Sequence, residues 1–308
     1  MINKYTKIMS IILATLLLSG CTSSIGNDND LEKDNGKIKI VASFYTMYDI
    51  ANKIGGDKVS IKTMVPSGTE PHDWEPSSKD IKDLQKADLF LYNGAGMEPW
   101  AEKILSSIDN KKLVVVEASS GIDLIENQSK DGDLKNDPHV WLNPLLFEKQ
   151  MEVVKNALID IDPSNKEYYE KNFRENSAKV HKLDKEYKDS VSKFNKKDIV
   201  VSHAAFGYLC NAYGLNQIAI EGINADSEPS PGRMAEITKF VKDNNIKYIF
   251  FEELISPKVA NTIAKETGAK TEVLNPIEGL KEEDVKNGKE YFTVMRDNLE
   301  VLKKALQD

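Results

Sequence analysis

Three of the four histidines in the chain stand in polar turns just past apolar, strand-like runs: His72 in EPHDWEP, His139 in DPHVWLNP and His203 in VVSHAAF. Neutral imidazole is the commonest protein ligand for transition metals, so histidines gathered at strand ends rather than spread over surface helices point to one shared metal site. Glu278, in LNPIEGL after the last apolar run, offers a fourth donor; Glu70 and Asp73 beside His72, or a water, compete for that place. One such histidine alone would more often cap a helix or hold a loop, but four suitable groups at strand ends favour shared ligation. His181 differs, because it lies among lysines in a long charged segment and reads as a solvated helix residue.

These groups meet only if the elements between them converge. Apolar, β-rich runs occupy 38–44, 59–65, 87–93 and 113–117, and recur after a break at 198–202, 217–221, 247–252 and 271–274. Continuous apolar strands alternating with amphipathic helices indicate parallel sheets covered on both faces. The expected fold is α/β: two lobes, each a roughly four-stranded parallel sheet flanked by helices, joined by one long backbone helix. That helix is residues 164–196, free of Gly and Pro, starting at Asp162-Pro163-Ser164 and carrying Tyr168, Val180, Leu183, Tyr187 and Val191 on one face. It should run about 30 residues and roughly 45 Å. In open α/β sheets ligands bind outside the carboxyl ends of the strands, so His72 and His139 would reach the cleft from the first lobe, and His203 and Glu278 from the second.

The amino terminus assigns a compartment. A basic stretch at 1–7, an apolar run at 8–18 and the tetrapeptide Leu18-Ser19-Gly20-Cys21 resemble a lipoprotein signal, with Cys21 lipidated and first in the mature chain. The organisation read from sequence is a signal peptide at 1–20, a flexible tether at 21–36, an amino-terminal lobe at 37–162, a linking helix at 163–196 and a carboxyl-terminal lobe at 197–308. Loss of the leader removes Lys4 and Lys7, taking the formal charge from -8 to -10, which argues against nucleic acid and favours cations. Cys210 is the only other cysteine and reads as core, so no intramolecular disulfide is expected. Trp74, Trp100 and Trp141 flank the histidine motifs and are expected to pack the cleft walls. Glu221, Asp226 and Glu228 are candidates to hydrogen-bond the imidazoles, while Asp131, Asp133 and Asp137 read as a solvated acidic loop.

Nearly all of the mature chain resembles the zinc and manganese solute-binding lipoproteins of bacterial ABC importers. The resemblance is carried by VASFYTMYDIANKIGGDKVSIKTMVPSGTEPHDWEPSS, DPHVWLNP, VVSHAAFGYL, EGINADSEPSP and LNPIEGL, in the family's order and approximate spacing. It implies two α/β lobes on a long helix, metal ligands at His72, His139, His203 and Glu278, an ABC permease with its cytoplasmic ATPase as partners, and a monomer held to the membrane by its lipid. Manganese-importing relatives carry Glu at the position of His203 and Asp as the last ligand. Three imidazoles and one carboxylate suit Zn²⁺ better than the oxygen-rich sets of Mn²⁺. The zinc-importing relatives often bear a His-rich loop, and the stretch between Gly121 and Asp137 has no histidine, so that accessory role is not expected. The rival classes are a manganese-binding homologue, a zinc hydrolase, disfavoured by the absence of HExxH, and a surface adhesin. Metal affinity is expected to fall as pH drops through the ordinary histidine range near ~6.5.

Overall fold

Among the described residues, runs rich in β-branched and aromatic residues form eight short strands: β1 (Ile38–Ala42), β2 (Val59–Thr63), β3 (Leu89–Tyr92), β4 (Val114–Glu117), β5 (Asp198–Val201), β6 (Asn216–Ala219), β7 (Tyr248–Phe251) and β8 (Lys270–Val273). The computed structural model describes residues 36–127, 134–223 and 229–307; the leader 1–20, Cys21, the tether 21–35, Asp131, Asp133, Asp226 and Glu228 lie outside them. The strands make two parallel sheets of like topology, β2-β1-β3-β4 and β6-β5-β7-β8. Each overlaps one expected apolar run, and the runs extend past several strands because their last residues turn into the loops that carry the site. The central strands are buried nearly throughout, as a sheet covered on both faces requires.

Among the described residues ten helices accompany them: α1 (Tyr45–Gly55), α2 (Ser78–Lys86), α3 (Ala101–Leu105), α4 (Pro144–Ile161), α5 (Lys166–Val191), α6 (Gly207–Tyr213), α7 (Pro231–Asp243), α8 (Lys258–Thr267), α9 (Glu282–Lys286) and α10 (Tyr291–Leu306). The two lobes are joined by α5, whose 26 residues follow a 3-10 turn at Pro163–Asn165 and span about 39 Å. It is shorter than 164–196 because the chain leaves the helix at Ser192 to enter β5. Its buried stripe of Tyr169, Val180, Leu183, Tyr187 and Val191 rests on α1, α4 and the returning α10. His181, beside that stripe, is exposed, its side chain 63% so, and lies 3.4 Å from Glu148 of α4.

The main hydrophobic core does not stop at the lobe boundary. Ile40 of β1, Phe147 of α4, Leu183 of α5, Ile199 of β5 and Leu302 of α10 belong to one continuous cluster, as does the free and buried Cys210. Phe147 stacks face to face on Tyr291 with ring centroids 3.6 Å apart, and Tyr187 donates its hydroxyl to the carbonyl of Met295 at 2.6 Å. Lys53 of α1 bridges Asp49 at 2.9 Å and Glu290 at 2.5 Å, tying the first lobe to the start of α10.

Because the core is shared, Phe147→Ala should cost about 3–5 kcal/mol and both lobes should still unfold together. Urea unfolding followed by near-ultraviolet and far-ultraviolet circular dichroism checks this; two separate transitions in the wild type would contradict a common core.

Candidate metal centre

Each candidate donor is set by groups that hold its backbone before they hold its side chain. His72 lies in the loop after β2, where the Glu70 carboxylate accepts its backbone N–H at 3.0 Å and that of Asp73 at 3.4 Å. His139 is held by Asp137, whose Oδ1 accepts its backbone N–H at 2.9 Å and lies 2.7 Å from ring Nδ1. The preceding carbonyl, Pro138, accepts from Asn93 at the end of β3, and Gln150 of α4 fixes that asparagine at 2.8 Å. His203 follows the end of β5. The β5–β7 register pairs Val201 with Phe250, so two residues further on His203 stands beside Glu252, whose Oε1 bonds its Nδ1.

Glu278 belongs to the second lobe in sequence, but the loop bearing it is gripped by the first. Trp141 donates Nε1–H to the Pro276 carbonyl at 2.7 Å, and Thr46 of α1 donates its hydroxyl to the Ile277 carbonyl. Asn275 accepts the Ile277 N–H at 2.7 Å and is itself held by Asn298 of α10. Ile277 has φ of 62°. A β-branched residue there is strained by about 1–3 kcal/mol, and the surrounding bonds hold it so that Glu278 turns inward.

The four side chains are buried, and their donor atoms lie within 4.8 Å of one another. Nε2 of His139 is 3.1 Å from that of His72 and 3.4 Å from that of His203. Glu278 Oε1 stands 3.4, 2.8 and 3.3 Å from Nε2 of His72, His139 and His203. A regular tetrahedron with its centre about 2.0–2.1 Å from each corner has edges of about 3.3 Å, so this cage matches a small tetrahedral cation. With Nδ1–H of His139 and His203 committed to Asp137 and Glu252, their Nε2 lone pairs face inward. Among the described residues Glu278 Oε1 has no donor other than the surrounding ring nitrogens, which reach it only when protonated at Nε2. An inward ring of lone pairs around a carboxylate oxygen with no other partner is the donor set of a cation site.

Without a cation the charges settle among themselves. Burial disfavours the charged imidazole of His139, yet Asp137 and Glu278 outweigh it and push its pKa up to about 9. Burial likewise opposes the charge on His203, and Glu252 and Glu278 hold it well above its ordinary value. Burial wins at His72, which is lowered. Against its own burial, Glu278 is held well below the usual carboxylate range by His203, His139 and His72. Glu70 is pushed up to about 8 by burial and by the charge of Glu278.

The structure thus brings His72, His139, His203 and Glu278 together. Asp73 points to solvent and Glu70 is engaged with the His72 loop, which leaves the fourth corner to Glu278. One expectation is corrected. Asp137 is buried, not part of a solvated acidic loop, because the bond to His139 draws it in. The imidazole partners found are Asp137 and Glu252, while of the acids expected in that role Asp226 and Glu228 lie outside the described residues; Glu252 was legible as an acid ending the strand next to β5. Trp141 is buried between the lobes, whereas Trp74 and Trp100 meet edge to face at 5.5 Å on one side of the cleft.

Comparison with known proteins agrees with this geometry. Residues 40–305 match the family model for zinc-uptake complex component A, periplasmic. The high-affinity zinc uptake system protein ZnuA of Bacillus subtilis is 40% identical over 316 aligned positions, covering 99% of each chain. The zinc-binding lipoprotein AdcA of Streptococcus pneumoniae is 40% identical over 303 positions, with the chain spanning 60% of its length. Its Zn(II)-bound ZnuA-like domain superposes with a TM-score of 0.78 at 42% identity, covering 89% of this chain and 100% of that one. The laminin-binding protein Lmb of Streptococcus agalactiae, described as bifunctional with adhesin and metal-transporting activity, gives a TM-score of 0.79 at 35% identity over 87% of this chain and 99% of its own.

The pH window expected from unperturbed histidine moves upward. A cation takes neutral imidazole, and at pH 7 the raised pKa values leave protons on His139 and His203 that binding must expel. Calorimetry in buffers of different ionisation heat should detect about one to two protons released per ion at pH 7. Apparent affinity should rise about tenfold per pH unit for each proton until pH passes about 9. Affinity already flat above pH 7, with no proton release, would contradict these shifts.

Proposed function

The chain belongs to the zinc-uptake family of ZnuA, and from that premise we propose that it captures Zn²⁺ outside the cytoplasm and delivers it to an ABC importer. It is a solute-binding protein, not an enzyme. The observation carrying this reading is the buried cage of three Nε2 atoms and one carboxylate oxygen at tetrahedral spacing. His72 and His139 come from the amino-terminal lobe, 37–162, and His203 and Glu278 from the carboxyl-terminal lobe, 197–308. The ion is cargo: four protein donors complete its tetrahedral shell, which leaves no position open for a substrate as hydrolysis requires. Asp137 and Glu252 orient two imidazoles and raise their basicity, and Glu70 sets the loop of His72.

The nitrogen-rich set selects zinc over manganese. The partners are an ABC permease and its cytoplasmic ATPase, the lipid on Cys21 would keep the protein beside them, and the mature chain works as a monomer. The likeness to the laminin-binding protein favours a second, surface role as an adhesin, carried by the outside of the same fold.

Purified mature protein should bind one Zn²⁺. Alanine at His72, His139, His203 or Glu278 should weaken binding by more than about 100-fold, and Asp137→Asn or Glu252→Gln by about 10–100-fold. His181→Ala should change nothing, and His203→Glu should narrow the zinc-over-manganese ratio. Competition titration with a chromophoric chelator reads all of these, and equal losses at His181 and the cage positions would refute the assignment. Separately, Cys21→Ser should abolish acyl labelling and membrane retention; a variant still partitioning into the detergent phase would remove the lipid anchor.

A further inference from the structure

Next to the zinc cage lies a cleft of about 660 Å³ lined by first-lobe residues alone, His72 among them. A single ion fits among four donor atoms lying within 4.8 Å, so a space of that volume is far larger than the ion requires, and it falls in the range of small-molecule sites. Its lining includes the Trp74–Trp100 pair, with centroids 5.5 Å apart and rings at 71°, apolar surface suited to a planar group. Asp73, Glu75 and Lys103 also line it. These three are exposed, and among the described residues none forms an ion pair.

From this arrangement we infer that the cleft receives zinc still bound to a small chelator that carries a ring and a carboxylate, an imidazole amino acid being the simplest member of the class. Zn²⁺ with one such monoanionic chelator is a monocation. Its charge suits Asp73 and Glu75, its carboxylate suits Lys103, and its ring suits the tryptophans. Of the four cage residues only His72 also lines the pocket, and its side chain is 2% exposed, so in this proposal a small displacement of its loop brings its Nε2 to the ion as the first protein donor to replace a chelator atom. His139, His203 and Glu278 then replace the remainder, each zinc–chelator bond lost being matched by a zinc–protein bond gained. The freed amine and imidazole take up protons expelled from the cage or drawn from water, and the chelator leaves by the cleft. The inference rests on the zinc-binding reading above and adds the form in which the ion arrives.

Stopped-flow loading of the full mature protein from zinc–histidine and zinc–glycine, at equal total zinc, tests it. Histidine holds zinc more tightly than glycine, so loading through dissociated ion runs slower from the histidine chelate. Delivery through the cleft reverses that order, and we expect the histidine chelate to load at least about tenfold faster. Lys103→Ala and Trp100→Leu should each restore the slower order while leaving equilibrium affinity for hydrated zinc unchanged; Lys103→Ala, at an exposed position, guards against a folding defect in the tryptophan variant. Slower loading from histidine in the wild type, or an order unaffected by both substitutions, overturns the inference while leaving the zinc site intact. Absence of equilibrium zinc binding would overturn the zinc-binding reading itself, and this inference with it.

Discussion

Four lone-pair atoms are turned toward one another in a dry interior, and the rest of the molecule is arranged to keep them there. His139 Nε2 and Glu278 Oε1 stand 2.8 Å apart, and among the described residues that oxygen has no donor but the imidazoles themselves. Leaving a buried charged acceptor unsatisfied costs several kilocalories unless a cation or a proton sits between the groups. The metal-free protein answers with protons, which is why His139 and His203 rise while Glu278 falls. A divalent ion of tetrahedral habit answers better, replacing shared protons with bonds along every inward lone pair. Asp137 and Glu252 complete the arrangement from outside, each anchoring an imidazole by Nδ1 so that Nε2 is left free to bind.

Such a cage tolerates little movement, yet its donors come from opposite halves of the chain. The structure meets that demand by making the halves share a core. α1, α4, α5 and α10 pack around one hydrophobic cluster, and the loop of Glu278 is fastened by Trp141 and Thr46 of the first lobe. Tyr291 of α10 closes the circuit by donating to the Trp141 carbonyl at 2.8 Å. The strained Ile277 is affordable in this setting, since bonds on both sides dictate its conformation. A frame of this kind favours small displacements of the donor loops over wide rotation of whole lobes.

Much of this was legible in the sequence because it rests on local chemistry. The eight strands declare themselves as apolar runs, α5 as a long stripe without Gly or Pro, and the donors as polar groups where strands end. Sequence left the fourth corner open among Glu278, Glu70, Asp73 and water, because three acids at suitable places differ only in what their backbones are tied to. It also missed the partners of the imidazoles. Asp137 sits in an acidic stretch that reads as solvent-facing until the bond to His139 is seen. The pairing of Glu252 with His203 depends on β5 lying beside β7, a register that no local pattern announces. The upward shift of the histidines was hidden for the same reason, since it comes from carboxylates distant in sequence.

Zinc K-edge X-ray absorption on the loaded mature protein addresses the central claim most directly. Four nitrogen or oxygen atoms at about 2.0–2.1 Å, with outer-shell scattering from three imidazole rings, is the result the cage predicts. Five or six light-atom neighbours, or scattering from fewer than three imidazoles, would contradict it.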